Sequence, residues 1–261
     1  MRQAWLMYRK ELLGMARSYQ LLWIPVVFML LVVMQPVTSY YMPDILAASG
    51  SVPEELVADF PIPGPAEVMA SVLGQYSTFG VFVLVIAGMK IVSGERYGGT
   101  AALVLVRPIS SASFILAKWA GQMTLLILSF TISYAAAWYY TVQLLGHVPW
   151  REGLAAGGLY MMWLAFAVSL TILLSTLLRG IAVAMISLLM MFALSLVQNL
   201  APSWFSWSPA GLLKLAAATI LGAPVEAIYY PIIMTLLLCV VCIGIAIWSL
   251  RRQAIPDTSG E

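Results

Sequence analysis

Residues 90–118 read KIVSGERYGGTAALVLVRPISSASFILAK. This stretch lies between two long apolar runs, and its charged residues are Lys90, Glu95, Arg96, Arg107 and Lys118. Thr100 is a suitable cap for a short helix, and the apolar residues 103–106 would form the helix body. Pro108 would end it, because proline lacks a backbone N–H and disfavours helix at the residue before it. The pattern predicts a membrane protein that presents a short, stiff helix beside the bilayer. The alternative is an ordinary connecting loop with basic anchors.

The composition defines the class of protein. Of 261 residues, 62% are hydrophobic and only 9% are charged, whereas a soluble domain averages about 25% charged residues. A soluble fold of this length could not bury so much apolar surface, so the sequence predicts an all-α integral membrane protein. Six spans are predicted, at residues 21–41, 71–89, 114–140, 153–178, 181–200 and 228–250.

The segments outside these spans have distinct patterns. Residues 1–20 combine an apolar stripe with basic neighbours, which predicts an amphipathic helix in the membrane interface. Residues 42–70 are acidic and rich in proline, which is typical of a turn-rich loop. Residues 202–227 are apolar but interrupted by proline and glycine, which favours a re-entrant hairpin over a seventh span. Within the fourth span, the spacing of Gly153 and Gly157 permits close helix packing.

The charges predict the orientation. With six spans, all Lys and Arg residues except Arg151 and Lys214 lie on the side of the termini. The acidic residues of the opposite side are Asp44, Glu54, Glu55, Asp59, Glu67, Glu152 and Glu226. Basic residues near span ends mark the cytoplasmic side. Both termini and residues 93–113 are therefore expected in the cytoplasm, and residues 42–70 and 202–227 outside the cell.

Missing residue types narrow the function. Apart from Lys118 at the start of the third, no predicted span contains a charged residue, although ion-coupled transporters usually need ionisable groups at membrane depth. The single histidine, His147, lies at the external edge, and Cys239 and Cys242 have no second pair nearby, so neither a metal site nor redox chemistry is expected. No GxxxxGK[ST] loop is present. We expect no catalytic residues, no metal, no cofactor in this chain and no nucleic-acid partner. Energy would then come from a partner protein.

Two sets of residues resemble the sequence pattern of a known protein family. The first set is Tyr8, Arg9, Lys10, Glu11 and Leu12, followed by Arg17. The second set, in order, is Glu95, Gly99, Thr100, Arg107, Pro108, Ile109, Ser110 and Lys118. Together with the six spans, these sets resemble the type-two permease subunits of ATP-binding-cassette exporters, and the resemblance covers nearly the whole chain.

The resemblance implies specific roles. Residues 93–113 would be a coupling loop and helix that docks on a separate ATPase subunit, which would bind ATP and Mg²⁺. The contact residues would be Glu95, Arg96, Gly99, Thr100, Leu103, Val106, Arg107 and Pro108. Glu95 would pair with a basic group near the nucleotide or bond to backbone N–H groups of the loop. A second permease subunit, identical or related, would complete an exporter in a bacterial plasma membrane.

The resemblance also implies a substrate path that runs between the two permease subunits and is lined by the second and fifth spans. Gln75, Phe79 and Phe82 share a face at regular helical spacing, and Gln198 and Asn199 lie at the outer end of the fifth span. The phenylalanines could instead serve helix packing. Two other functions stay open, a lipid-modifying intramembrane enzyme and a membrane scaffold that transports nothing. Drugs, lipids and peptides all fit such a path.

Overall fold

A computed structural model describes residues 2–50, 61–97, 110–224 and 228–253. In these residues the regular structure is helical, and no strand occurs. The helices are α1 (Arg2–Arg17), α2 (Gln20–Ser49), α3 (Pro65–Gln75), α4 (Val81–Gly88), α5 (Ser93–Tyr97), α6 (Ser111–Leu145), α7 (Trp150–Leu177), α8 (Ile181–Leu200), α9 (Gly211–Ile220) and α10 (Tyr229–Gln253). A π-helical segment, Tyr76–Gly80, joins α3 to α4.

Within the described residues, six helical segments are long and apolar enough to cross a membrane. They are α2, the run Pro65–Glu95, α6, α7, α8 and α10. The predicted all-α architecture with six membrane-spanning helices is therefore confirmed. The predicted N-terminal helix is present as α1, whose buried residues Met7 and Met15 pack against the bundle.

The helices flanking the predicted loop 42–70 are longer than expected. Helix α2 continues to Ser49, although it contains Pro25, Pro36 and Pro43, and it ends where Gly50 adopts a left-handed conformation with φ 62°. Helix α3 already begins at Pro65, and the Glu67 side chain accepts a hydrogen bond from the Gly64 N–H at 3.1 Å. Hydropathy marks where apolar residues stop, whereas these caps determine where the helices end.

The stretch 202–227 contains one short helix in its described part. Helix α9 has 10 residues, which corresponds to about 15 Å, half of the roughly 30 Å hydrocarbon core. Residues 202–210 before it form turns. Its buried residues Leu212, Ala216 and Ile220 pack mainly against α7 and α3. The re-entrant position of this stretch stays a prediction.

Helix α7 lies at the centre of the bundle. It packs against α4, α6, α8, α9 and α10, and Trp163 at its middle is fully buried. Helices α2 and α6 form the other large contact. The two helices that line the predicted substrate path, α4 and α8, therefore pack on the same central helix.

The two glycines of α7 allow the bulky aromatic side chains of α6 to approach its backbone. A Cβ atom added at Gly153 would overlap the Trp138 ring, and one at Gly157 would lie 3.0 Å from Cε1 of Tyr134. The Tyr134 hydroxyl donates a hydrogen bond to the Gly153 carbonyl at 2.9 Å. The close packing predicted from the spacing of these glycines is confirmed.

Replacement of Gly153 tests this packing. We expect Gly153→Ala to destabilise the protein by about 1–3 kcal/mol, because the added methyl group displaces the Trp138 ring. Gly158→Ala is the matched control, since a Cβ there meets no atom within 4 Å and alanine favours helix. Thermal unfolding in detergent would compare the two variants. Equal midpoints would contradict the role of Gly153.

Candidate functional site

Four charged side chains from three helices meet near the ends of the predicted coupling loop. They are Lys10 and Glu11 of α1, Glu95 of α5 and Lys118 of α6, which we call the charge cluster. Lys10 Nζ lies 2.8 Å from Glu95 Oε1, and Lys118 Nζ lies 3.1 Å from the same oxygen. Lys118 Nζ also donates a hydrogen bond to Glu11 Oε1 at 3.0 Å. The cluster joins the N-terminal helix to both sides of residues 98–109.

Lys118 is the centre of the charge cluster. Its side chain is only 1% exposed, and an unpaired ammonium at such a position would cost several kcal/mol. Glu11 and Glu95 are also largely shielded, whereas Lys10 is half exposed. The Lys118 ammonium also lies 4.9 Å from the centre of the Phe114 ring, close enough for a cation–π contact. The two carboxylates therefore compensate for the burial of the Lys118 ammonium.

Helix α1 reaches the cluster because it lies against α6 at a glycine. A Cβ atom added at Gly121 would lie 3.2 Å from Met15 Cε and 3.3 Å from Glu11 Cβ. One turn further along α6, the Thr124 hydroxyl forms a hydrogen bond with the Tyr8 hydroxyl at 2.8 Å. These contacts fix the position of Glu11 beside Lys118.

A serine of the central helix positions α5. Ser175 Oγ accepts hydrogen bonds from the N–H groups of Val92, at 3.2 Å, and Ser93, at 3.1 Å. It also donates to the Met89 carbonyl at 3.0 Å. The turn between α4 and α5 is thereby attached to α7, and Glu95 lies one turn later. On the other side of the loop, Ser110 Oγ caps α6 by accepting from the Ser113 N–H at 3.2 Å.

Most of the predicted ATPase-contact residues lie outside the described part of the chain. Glu95 is described and pairs with Lys10 and Lys118 of its own chain. The side chain of Arg96 is not described, and the remaining residues are Gly99, Thr100, Leu103, Val106, Arg107 and Pro108. The coupling helix stays a prediction, and its two flanks are held by the charge cluster and by Ser110.

The sequence reasoning did not assign a role to Lys10, Glu11 or Lys118. A signal for them existed. Lys118 enters an apolar span, and a cation in that position needs an acidic partner. On the predicted cytoplasmic side before the last span, the sequence offers only Glu11 and Glu95. Counting acids on that side would have indicated both pairs.

Four of the five predicted substrate-path residues line two adjoining cavities. Phe79 and Phe82 are 50% and 48% exposed and line a cavity of about 470 Å³ together with Phe192 of α8. Gln198 and Asn199 line a second cavity of about 260 Å³ between α3, α8 and α9. Ser77 and Ser195 line both. We call the two cavities together the groove.

Gln75 does not line the groove. Its side-chain amide donates to Gln35 Oε1 of α2 at 2.7 Å. The π-helical segment Tyr76–Gly80 explains the difference, because a π turn contains an extra residue and rotates the following side chains around the helix. The regular spacing that predicted one shared face for Gln75, Phe79 and Phe82 does not hold through this segment.

Gln198 connects the groove to α9. Its side-chain carbonyl oxygen accepts a hydrogen bond from Ser208 Oγ at 3.1 Å, and its main-chain carbonyl accepts from Lys214 Nζ at 3.1 Å. Asn199 is exposed. The end of α8 is therefore attached to α9, and Lys214 reaches the cavity wall.

Comparison with known proteins identifies the family. Residues 5–254 match the model of the ABC-2 family transporter protein. The chain belongs to the ABC-2 transporter family. It is also 32% identical over 246 residues to YxlG of Bacillus subtilis strain 168, described as an uncharacterized transmembrane protein. The match covers 94% of this chain and 95% of that protein.

Membership in the ABC-2 family supports the role of a permease in an ABC transporter and implies an ATPase partner. The family is a membrane transport component and not a family of catalysts. Within the described residues, no group of three or more His, Cys, Asp and Glu side chains could hold a metal ion.

Replacement of Lys118 tests the charge cluster. We expect Lys118→Met to destabilise the protein by about 3 kcal/mol or more, because it removes the cation shared by Glu11 and Glu95. Lys10→Met, at the half-exposed end, should cost less than about 1 kcal/mol. Urea or thermal unfolding in detergent would measure both variants. A similar loss in the two would show that the buried pairing is not the stabilising element.

Proposed function

We propose that this chain is the membrane-spanning half of an ATP-driven exporter that moves a substrate out of the cytoplasm. A separate ATPase subunit docks on residues 93–113 and holds the ATP and Mg²⁺. The observation that carries the proposal is the charge cluster. Three helices of the permease are joined by ion pairs at the base of the loop on which a partner would act, beside Glu95 and Lys118.

The helical run from Pro65 to Glu95 connects the loop to the groove. Glu95 lies at one end of the run, and Ser77, Phe79 and Phe82 line the groove further along it. A displacement of the loop by the ATPase would shift this run against α7 and α8. The groove would then change its width when the ATPase closes or opens, which is how the energy of hydrolysis reaches the substrate.

The π-helical segment is the point at which this run can bend. π turns interrupt the regular ladder of helical hydrogen bonds and often occur at functional sites. The segment Tyr76–Gly80 lies directly beside the groove, and its buried Tyr76 is anchored on α6 through the Ser133 hydroxyl. Bending at this point would move Phe79 while Tyr76 stays in place.

A second permease subunit would pack on α8. This helix exposes a row of large apolar side chains at helical spacing, namely Ile181, Met185, Leu189 and Phe192. Because the groove lies beside this row, pairing of two permease subunits would enclose the substrate path between them. In this arrangement the termini are cytoplasmic, and residues 42–70 and 202–227 face outward.

Replacement of Leu103 tests the docking of the ATPase. We expect Leu103→Asp to weaken ATPase association at least about tenfold, because a carboxylate would be buried without a partner in the contact. Leu103→Met keeps the size and polarity and should bind normally. Co-purification and permease-stimulated ATP hydrolysis are the measurements, with membrane insertion as the control. Normal binding and stimulation by the aspartate variant would contradict the proposed docking site.

A further inference from the structure

The two ends of the groove carry different side chains. The end near α9, which we call the polar end, combines Ser77, Tyr160, Ser195, Gln198, Asn199 and Lys214 with the apolar side chains Ala70, Leu73, Ala210, Leu213 and Ala217. The other end is lined mostly by apolar and aromatic side chains, among them Phe79, Phe82, Trp163, Met191 and Phe192. Cavities of about 260 and 470 Å³ suit a small molecule, for which sites of about 300–1,000 Å³ are typical.

Lys214 is the cation at the polar end. Among the described residues that line the groove, Lys214 is the one basic side chain. It is also one of only two basic residues that the sequence places on the side opposite the termini. Its side chain is exposed and donates to the Gln198 carbonyl at 3.1 Å. An ammonium group has three donors, so the bond that orients Lys214 leaves it able to bind a ligand.

Neutral hydrogen-bonding groups line the same cavity as this cation. Asn199 is exposed, and the hydroxyl of buried Tyr160 interacts with Ser77 in the same cavity wall. No carboxylate lines the groove in the part of the chain that the structure describes. One cation with amide and hydroxyl neighbours favours an anionic group, because charge-assisted hydrogen bonds are the stronger ones.

We propose that the groove takes an amphipathic anion, with its acidic group at Lys214 and its apolar body between Phe79, Phe82 and Phe192. This inference rests on the proposed export function and names the class of its substrate. The ammonium group of Lys214 also lies at the C-terminal end of α8, where it contacts the Gln198 carbonyl. The dipole of α8 favours a cation at this position. The test must therefore separate ligand binding from stabilisation of α8.

Two fluorescent probes of matched shape provide this test. Anilinonaphthalene sulfonate carries an acidic group, and phenylnaphthylamine has the same ring system without it. Binding of each would be measured on the intact chain in phosphatidylcholine nanodiscs, with empty nanodiscs subtracted. The variants are Lys214→Gln, Lys214→Arg and the control Arg151→Gln, which removes the other basic residue of that side.

We expect Lys214→Gln to weaken binding of the sulfonate about tenfold, the value of one charge-assisted hydrogen bond. Lys214→Arg and Arg151→Gln should bind it nearly as the unmodified chain does, and the neutral probe should bind equally to all. Unchanged sulfonate binding in Lys214→Gln, an equal loss in Arg151→Gln, or a parallel loss of the neutral probe would overturn the inference. The assay contains no ATPase, so its result is independent of whether Leu103 mediates docking.

Discussion

The buried ammonium of Lys118 is the constraint on which the predicted cytoplasmic end of the helix bundle depends. At 1% exposure it needs carboxylates, and it takes them from two different helices, Glu11 of α1 and Glu95 of α5. If either helix moved away, the buried ammonium would lose one of its two carboxylates, which is more costly than losing an exposed pair. Since Glu95 also lies at the start of the predicted coupling loop, one interaction would link the stability of the bundle to its proposed point of contact with the ATPase.

The rest of the proposed mechanism follows from the position of these ion pairs at the end of the helical run Pro65–Glu95. The helical run that ends at Glu95 has α7 beside it along its length, with Ser175 holding the turn before α5. Midway along the run, the π-helical segment Tyr76–Gly80 lies beside the groove. A rigid attachment at one end and an irregular turn in the middle suit a helix that transmits a small displacement. The polar wall near Lys214 then lies at the far end of the path.

The features that periodicity and composition determine, such as the membrane spans, could be predicted from the sequence. The features that single contacts determine, such as helix ends, could not. Six apolar runs predicted six spans, and the spacing of Gly153 and Gly157 predicted close packing. The ends of α2 and α3 differed because caps such as Gly50, and not hydropathy, set them. The orientation of Gln75 could not be predicted, because the π turn leaves no mark in composition. The additional pairing of Lys10 with Glu95 depends on how α1 folds back along α6, and no local pattern contains that information.

A double-mutant cycle on Lys10 and Glu95 tests most directly whether the charge cluster takes part in coupling the permease to the ATPase. Lys10 is half exposed, so Lys10→Met and Glu95→Gln leave the buried Lys118–Glu11 pair in place. The affinity for the ATPase subunit would be measured for both single variants and the double variant. We predict that each single change weakens association and that the double variant loses less than their sum, with a coupling energy of at least about 0.5 kcal/mol. Unchanged affinity in all three variants, or strictly additive losses, would contradict a role of the cluster in coupling.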